Sequence, residues 1–346
     1  MKILLMGTPE FAVPTLDALL ASSHELIGVV TQPDAPAGRG RKLRPPPVKE
    51  RAVEAGVSVY QPRRPARELW PALSPDLIVV VAYGRILKSD LLDWPPLGCV
   101  NLHASLLPRH RGAAPIQWAL IEGDKETGVT SMQMVEKLDA GDILLRRRCP
   151  IAPDETAESL SEKLSGLAAA VCMETIDALG GGGGAGMLEP IPQDEALATY
   201  ASKLKKEDAV LDWHQEAAAI CRRVRGLRPW PVARTRWVAL GGDRAAGENG
   251  GEPWLRVWMA APESGESTDY ADDPDLKKPG DCVGTMDVPP GFIGGLAKGP
   301  SGREGIRIAA ADGWVLLTEV QPEGKRRMDA KAFWHGYRLP EGTVLG

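Results

Sequence analysis

An α/β fold with a mainly parallel sheet, followed by a small antiparallel β-domain, is predicted for this 346-residue chain. Three observations carry the prediction. The first half alternates short β-branched apolar runs with helical segments. A glycine run at 180–184 interrupts the chain where that alternation ends. Beyond it come short strands separated by turn residues.

In chain order, KILLMG (2–7), ELIGVVTQ (25–32), LIVVVAYG (77–84) and GCVNLHA (98–104) are the strand-like runs. VTSMQMV (129–135) alternates and reads as half-buried. Thr8 before Pro9 predicts a helix start with Thr8 as N-cap, and Phe11, Leu16 and Leu20 line one face of that helix. A long helix over 156–179 carries an apolar stripe of Leu160, Leu164, Leu167, Val171 and Leu179. The glycine run then reads as a flexible linker. A helix near 215–225 precedes the strands ARTRWV, WLRVWMAA, GIRIAAADG and VLLTEVQ, which suggest an antiparallel barrel or sandwich. GGDRAAGENGGE and PESGESTDYADDPDLKKPGD read as surface loops.

Composition narrows the function classes. The formal net charge is −5, so any nucleic-acid surface must be local. Cys99, Cys149, Cys172, Cys221 and Cys282 are scattered and odd in number, without a C-x-x-C pair. That spacing argues against a zinc site or disulfide framework and fits a reducing cytosol, so a cytoplasmic location is expected. MKILLMGTPEF is too short an apolar run for a signal peptide, and no run is long enough to span a bilayer.

Gly7-Thr-Pro-Glu-Phe has one glycine of the dinucleotide fingerprint, which gives nicotinamide binding little support. Asn101 and His103 close an apolar strand two residues apart, so both project to one face at a carboxyl end. Asp139, in the turn LDAGD (138–142), is within plausible reach of His103. An amide, an imidazole and a carboxylate can stabilise an oxyanion, move a proton and hold the imidazole. No Ser or Cys stands in a nucleophile-elbow context, which favours direct transfer over a covalent enzyme intermediate. From spacing alone, a structural histidine, a turn-forming asparagine and a turn-closing Asp139 account for these residues at least as well.

NLHASLLPRHRGAAPIQWAL and GDKETGVTSMQMVEKLDAGD resemble the formyltransferases that use 10-formyltetrahydrofolate. The likeness extends through GTPEFAVPTLDAL, VVTQPDAPAGRGRKLRPPPVK, VVVAYGRIL, TYASKLKKEDAVLDW and RGLRPWPVA, nearly the whole chain. Within the family it is similar to the branch that formylates initiator methionyl-tRNA. The resemblance implies a Rossmann-like catalytic domain at 1–188, a linker at 189–206 and an OB-like tRNA-binding domain at 207–346. It implies Asn101, His103 and Asp139 as catalytic residues. Ser105, Leu106, Leu107 and Pro108 correspond to the folate-binding element, and Tyr83, Gly84, Arg85 and Ile86 to the segment beside the pterin. The formyl donor is a co-substrate, no metal is expected, and the enzyme is expected to be a monomer with no membrane partner.

The basic residues fit an RNA partner. Between 31 and 51, Arg39, Arg41, Lys42, Arg44, Lys49 and Arg51 face only Asp34 and Glu50. The resemblance puts Arg39 at the position of a stem-contacting arginine, with Arg41 and Lys42 beside it. A second basic region at 202–236 has nine Lys or Arg against four Asp or Glu, and Lys203 and Lys206 are its candidate tRNA contacts. Lys137 departs from the family pattern, which usually has glycine there, and puts a bulky charge beside the Asp139 turn. Two rivals are a formyltransferase for a small amine, which the second domain and the Arg39 loop disfavour, and a non-enzymatic RNA-binding protein, which the Asn101, His103 and Asp139 set disfavours.

Overall fold

Five-residue strands that are apolar throughout belong inside a sheet covered on both faces, and LIVVV is such a strand. In the computed structural model Leu77–Val81 is buried along its whole length. The structure describes residues 1–37, 40, 42–180, 188–237, 253–263, 288–299, 301–337 and 344–345. They form two units: 1–116, 126–150 and 159–202 in the first, and 117–125, 151–158 and 203–346 in the second.

The first unit is built on β1 (Lys2–Gly7), β2 (Glu25–Val30), a small hairpin of β3 (Ala35–Ala37) and β4 (Lys42–Arg44), β5 (Val59–Tyr60), β6 (Leu77–Val81), β7 (Cys99–His103), β8 (Arg111–Gly112), β9 (Glu126–Gln133), β10 (Ile143–Pro150) and β11 (Tyr200–Ala201). Seven of them form a sheet in the order β10-β9-β7-β6-β1-β2-β5. The five strands from β7 to β5 are parallel, whereas β9 runs antiparallel to β7 and β10 antiparallel to β9. The sheet is thus mainly parallel with an antiparallel margin. β8 and β11 form a separate parallel pair. Leu4, Met6, Val30, Ile78, Val80, Tyr83 and Cys99 share one core cluster with Trp70 and Leu91.

The first helix differs from the sequence expectation. Pro9 precedes a short 3-10 turn (Glu10–Ala12), and α1 (Val13–Leu20) starts after it with Pro14 in its first turn. Thr8 is not its cap, because its hydroxyl donates to the Tyr83 carbonyl at 3.1 Å instead. α1 buries Thr15, Leu16 and Leu19, while Phe11 and Leu20 are only half-buried. α2 (Pro47–Glu54), α3 (Ser89–Leu92) and α4 (Pro115–Glu122) are short. The long α5 (Ala157–Leu179) follows the predicted stripe and buries Leu160, Leu164, Ala168, Val171, Cys172 and Ile176. Leu167 and Leu179 sit at the stripe's half-buried margin.

Over the stretch expected as a linker, 189–206, the backbone is paired with neighbouring strands. Ile191 exchanges two backbone hydrogen bonds with Ile143, and Tyr200 and Ala201 pair with Arg111 and Gly112, so the segment belongs to the first unit through Ser202. The segment is polar in sequence because it packs by backbone and polar side chains.

The second unit holds α6 (Ala217–Gly226), β12 (Arg234–Arg236), β13 (Trp254–Pro262), β14 (Ile293–Lys298), β15 (Glu304–Ala309), β16 (Trp314–Pro322), β17 (Met328–Asp329) and α7 (Ala330–Tyr337). Its sheet runs β12-β13-β16-β15-β14, with β17 on β16, and every pairing is antiparallel. Leu255, Val257, Ile306, Ile308, Leu317 and Val320 fill the interior, with Phe333 of α7. β14 and α7 escaped the sequence reading: the first carries two glycines among six residues, and the second is only eight residues long.

Cys99, Cys149, Cys172 and Cys221 are free thiols among the described residues. Burial pushes the Cys99 and Cys172 thiols up to about 12. At pH 8 about one molecule in ten thousand carries either thiolate. Iodoacetamide is therefore expected to leave both unmodified in the native protein and to label both in denaturant, as read by peptide mass spectrometry.

Candidate active site

Parallel α/β sheets leave a crevice beyond the carboxyl ends of their strands. β7 brings Asn101 and His103 to that edge, with Asn101 opposite Val80 on one side and Met132 on the other. Asn101 is half-buried, and among the described residues no hydrogen bond engages its side chain. His103 is 6% exposed, and its Nε2 lies 2.8 Å from the His110 carbonyl. A carbonyl only accepts, so Nε2 carries the proton and Nδ1 is the nitrogen left for chemistry. Nδ1 faces Asp139 Oδ2 at 3.7 Å, longer than a hydrogen bond but close enough for charge to matter. The structure thus brings His103 and Asp139 together and sets Asn101 two residues before His103 on the same strand.

Asp139 sits in the turn between β9 and β10 with φ of 49°. Its Oδ2 accepts from the Gly112 amide at 2.8 Å. Gly112 has φ of 118°, and a Cβ there would stand 2.6 Å from the Ala201 carbonyl oxygen. Glycine is therefore needed both for the backbone angle and for the approach of β11. Lys137, expected to disturb this turn, points outward and donates to Glu195 at 2.7 Å.

Three residues that sequence reasoning missed surround the turn. Arg111 is fully buried and donates through Nε and Nη2 to Gln193 Oε1, at 3.0 and 2.9 Å, and through Nη1 to Glu195. Gln193 Nε2 donates to the Asp139 and Gly141 carbonyls at 2.9 and 2.7 Å. Lys137, first, and Arg111 hold the Glu195 carboxyl below its ordinary range. The only sequence signal was Arg111 in the resembling motif, because nothing local marks Gln193 or Glu195 as its partners.

The expected folate element is a wall. Ser105 and Leu107 are fully buried: Ser105 Oγ donates to the Arg109 carbonyl at 2.6 Å, and Leu107 packs with Met132 and Ile143. Their side chains belong to the core, while Leu106 and Pro108 are half-buried. Thr130 Oγ1 donates to the Ser105 carbonyl and accepts from the Leu107 amide, and Arg146 Nη1 donates to the Leu107 carbonyl. Of the second segment, Tyr83 is buried and its hydroxyl is pushed up by burial, whereas Gly84, Arg85 and Ile86 are exposed. Gln32 Nε2 donates to the Tyr83 carbonyl and would lie 2.5 Å from a Cβ at Gly84, whose φ is 77°. Nearby, a recess of about 460 Å³ is lined by Gln32, Asp34, Arg63, Arg64 and Arg85. Lys49 and Gln61 bind the Asp34 carboxyl and hold it below its ordinary range.

Of the candidate RNA contacts, Arg39 and Arg41 lie outside the described residues, while Lys42, Lys203 and Lys206 are exposed. The basic segment at 31–51 is less free than its composition implied, because Lys49 pairs with Asp34 and Arg51 with Asp17. On the outward face of the second unit's sheet, the Arg234 and Arg236 guanidiniums stack on Trp254 at 4.1 and 3.8 Å, and that of Arg327 on Trp258 at 4.6 Å. Arg256, opposite Arg234, is exposed between them. Arg234 also donates to the Lys206 carbonyl.

A mainly parallel sheet with polar side chains at the carboxyl end of a central strand defines the class of α/β proteins that place their sites at strand ends. The formyl transferase model matches residues 1–176, and the formyl transferase C-terminal domain model matches residues 203–338. The chain belongs to the formyl transferase family. It is 43% identical to the methionyl-tRNA formyltransferase of Moorella thermoacetica, over 100% of this chain and 99% of the relative. With that of Methylococcus capsulatus the identity is 45% over the full length of both. A Helicobacter canadensis N-formyltransferase, solved with folinic acid and dTDP-3-aminofucose, shares the fold at TM-score 0.60 and 13% identity, over 92% of this chain and 98% of that one. HypX from Aquifex aeolicus, solved with tetrahydrofolic acid, gives TM-score 0.57 at 18% identity, over 97% of this chain and 47% of that one.

Gly112→Ala is expected to cost about 1–3 kcal/mol of stability, since both the backbone angle and the Ala201 carbonyl resist a Cβ. Urea denaturation of the variant beside the native protein measures it.

Proposed function

We propose that the protein transfers the formyl group of 10-formyltetrahydrofolate to the α-amine of initiator methionyl-tRNA, giving the formylated initiator used to start translation. Full-length identity to enzymes of that name supports the substrate pair. The single observation that supports the chemistry is the approach of His103 Nδ1 to Asp139 at the end of the strand that carries Asn101. In this reading the enzyme works in the cytoplasm as a monomer.

The co-substrate supplies a formyl carbon already activated on a nitrogen. Attack by the amine forms a new C–N bond and breaks the bond to the folate nitrogen, so one proton must leave the amine and one must reach the leaving nitrogen. His103 Nδ1 accepts and returns that proton, directly or through a water, because Nε2 is engaged by the His110 carbonyl. Asp139 stabilises the imidazolium across 3.7 Å. Asn101, whose amide has no partner among the described residues, donates to the oxygen on which charge grows. Loss of one such donor costs about 2.7–4 kcal/mol in a comparable site. Arg85 and the exposed Ile86 stand beside the ring system, and Arg63 and Arg64, which line the same recess as Arg85, are the cations offered to the folate carboxylates.

Tryptophan stacking on the second unit holds the Arg234 and Arg236 guanidiniums against Trp254 beside the exposed Arg256, a concentration of positive charge suited to phosphate. We assign this face, together with Lys203, Lys206, Lys42 and the Arg39 and Arg41 loop, to the tRNA backbone.

His103→Ala and Asp139→Asn are expected to lose at least about 100-fold in kcat with tRNA binding unchanged. Formylation of charged initiator tRNA under saturating substrates checks this, and near-native turnover in either variant would overturn the assigned roles. Arg256→Ala is expected to raise KM for tRNA and to lower the log–log salt slope of tRNA binding by about 0.7–0.9. Binding titrations over a salt series decide it, and an unchanged slope would remove this face from the interface.

A further inference from the structure

We infer that Gln193, clamped by the buried Arg111, is a positioning residue that sets the backbone of the Asp139 turn and with it the separation between Asp139 and His103. The inference rests on the proton-handling roles proposed for those two residues.

The orientation of the Gln193 amide is fixed by its partners. Arg111 has only donors to offer, so the oxygen must face Arg111 Nε and Nη2. The nitrogen must then face the Asp139 and Gly141 carbonyls, which can only accept. Both protons of that nitrogen are spent on one turn, two residues apart, and this bidentate grip fixes its twist as well as its distance. Arg111 cannot yield, because its guanidinium is fully buried and also bound to Glu195. A buried guanidinium held by charge-assisted bonds is an anchor that costs much to displace.

The turn has reason to move without that grip. Asp139 is a non-glycine residue with φ of 49°, a conformation that persists only where its surroundings impose it. On the other side the turn is held by the Gln133 amide, which donates to the Asp142 carbonyl at 2.9 Å. Across Asp139 itself the Ala140 amide reaches the Lys137 carbonyl at 3.3 Å, a long bond within the turn, and Gln193 adds two shorter ones from outside it. A hinge motion of the turn about Asp142 changes the Asp139 to His103 distance directly. The Gly112 amide adds a second hold on the carboxylate itself and comes from the residue next to Arg111. Arg111 is therefore the common anchor of both the turn and the carboxylate it presents. Lys137 closes the ring on the surface by reaching Glu195, but both partners are exposed, and that link is weak.

The test separates holding Arg111 from aiming Asp139. Gln193→Glu keeps an oxygen for Arg111 and removes both donors to the turn, whereas Gln193→Met keeps the length and removes both functions. Each is assayed with 10-formyltetrahydrofolate and charged initiator tRNA, well below its melting temperature. Both variants are expected to lose about 10- to 100-fold in kcat, with KM for both substrates within about twofold and a displaced pH–rate profile, because a small misplacement of a reacting group costs that much. Gln193→Glu is further expected to melt above Gln193→Met, since its contact with Arg111 survives, although its second oxygen is repelled by the Asp139 and Gly141 carbonyls. Native kcat and pH profile in Gln193→Glu, or a loss confined to KM, would overturn the inference and leave Gln193 a purely structural partner of Arg111. Near-native turnover in His103→Ala and Asp139→Asn overturns the underlying reading instead. Loss in those two with native Gln193→Glu overturns the inference alone.

Discussion

The hydrogen bonds made by one polar strap, residues 191–201, hold the two walls of the crevice. On one side Ile191 pairs with Ile143 and Gln193 grips the turn at Asp139. On the other, Thr199 accepts from the Arg111 amide through its carbonyl and from the His110 amide through its hydroxyl, while Tyr200 and Ala201 pair with Arg111 and Gly112. His110 in turn holds the His103 ring through its carbonyl. The sheet positions Asn101 by itself, but imidazole and carboxylate are brought to each other through the strap. Few of these contacts are apolar, so their strength comes from complete pairing of polar groups.

Polar groups in the first unit separate into two populations. Arg111, Gln193, Glu195, Asp34 and Lys49 are saturated by one another and serve as structure. The Asn101 amide, His103 Nδ1 and the guanidiniums of Arg63, Arg64 and Arg85 lie where a ligand can meet them. Carboxylates beside the first group are held ionised, as the lowered values at Asp34 and Glu195 indicate. Saturation of one set keeps the other set in place without consuming it. The same logic explains why Lys137, conspicuous in the sequence, is inert in the turn: Glu195 gives its charge a partner outside the crevice.

What could be read in advance follows from the range of the forces involved. β1, β6 and β7 were legible because burial on both faces demands an unbroken apolar run, and Asn101 with His103 because polar residues at the end of such a run stand out. α5 was legible from a stripe over 23 residues. Thr8 misled because local capping preference lost to a carbonyl 75 residues away. Gln193 left no trace because its partners lie 54 and 82 residues distant and its own segment has no period. β14 was hidden by its glycines, and the antiparallel setting of β9 and β10 by a pattern that does not encode direction. The role of Asp139 came from resemblance, since a carboxylate in a turn is common.

The strap has a bearing on where the catalytic module ends. The formyl transferase model matches residues 1–176, a span that contains Asn101, His103 and Asp139. The residues that hold the latter two in register lie past that limit, between 191 and 201, and the first unit itself closes only at Ser202. Sequence similarity and mechanical completeness thus draw different borders. A fragment cut at the end of the matched segment would carry Asn101, His103 and Asp139 and lack the brace that holds the latter two in register. The stretch that looks like a connector is, mechanically, part of the first unit.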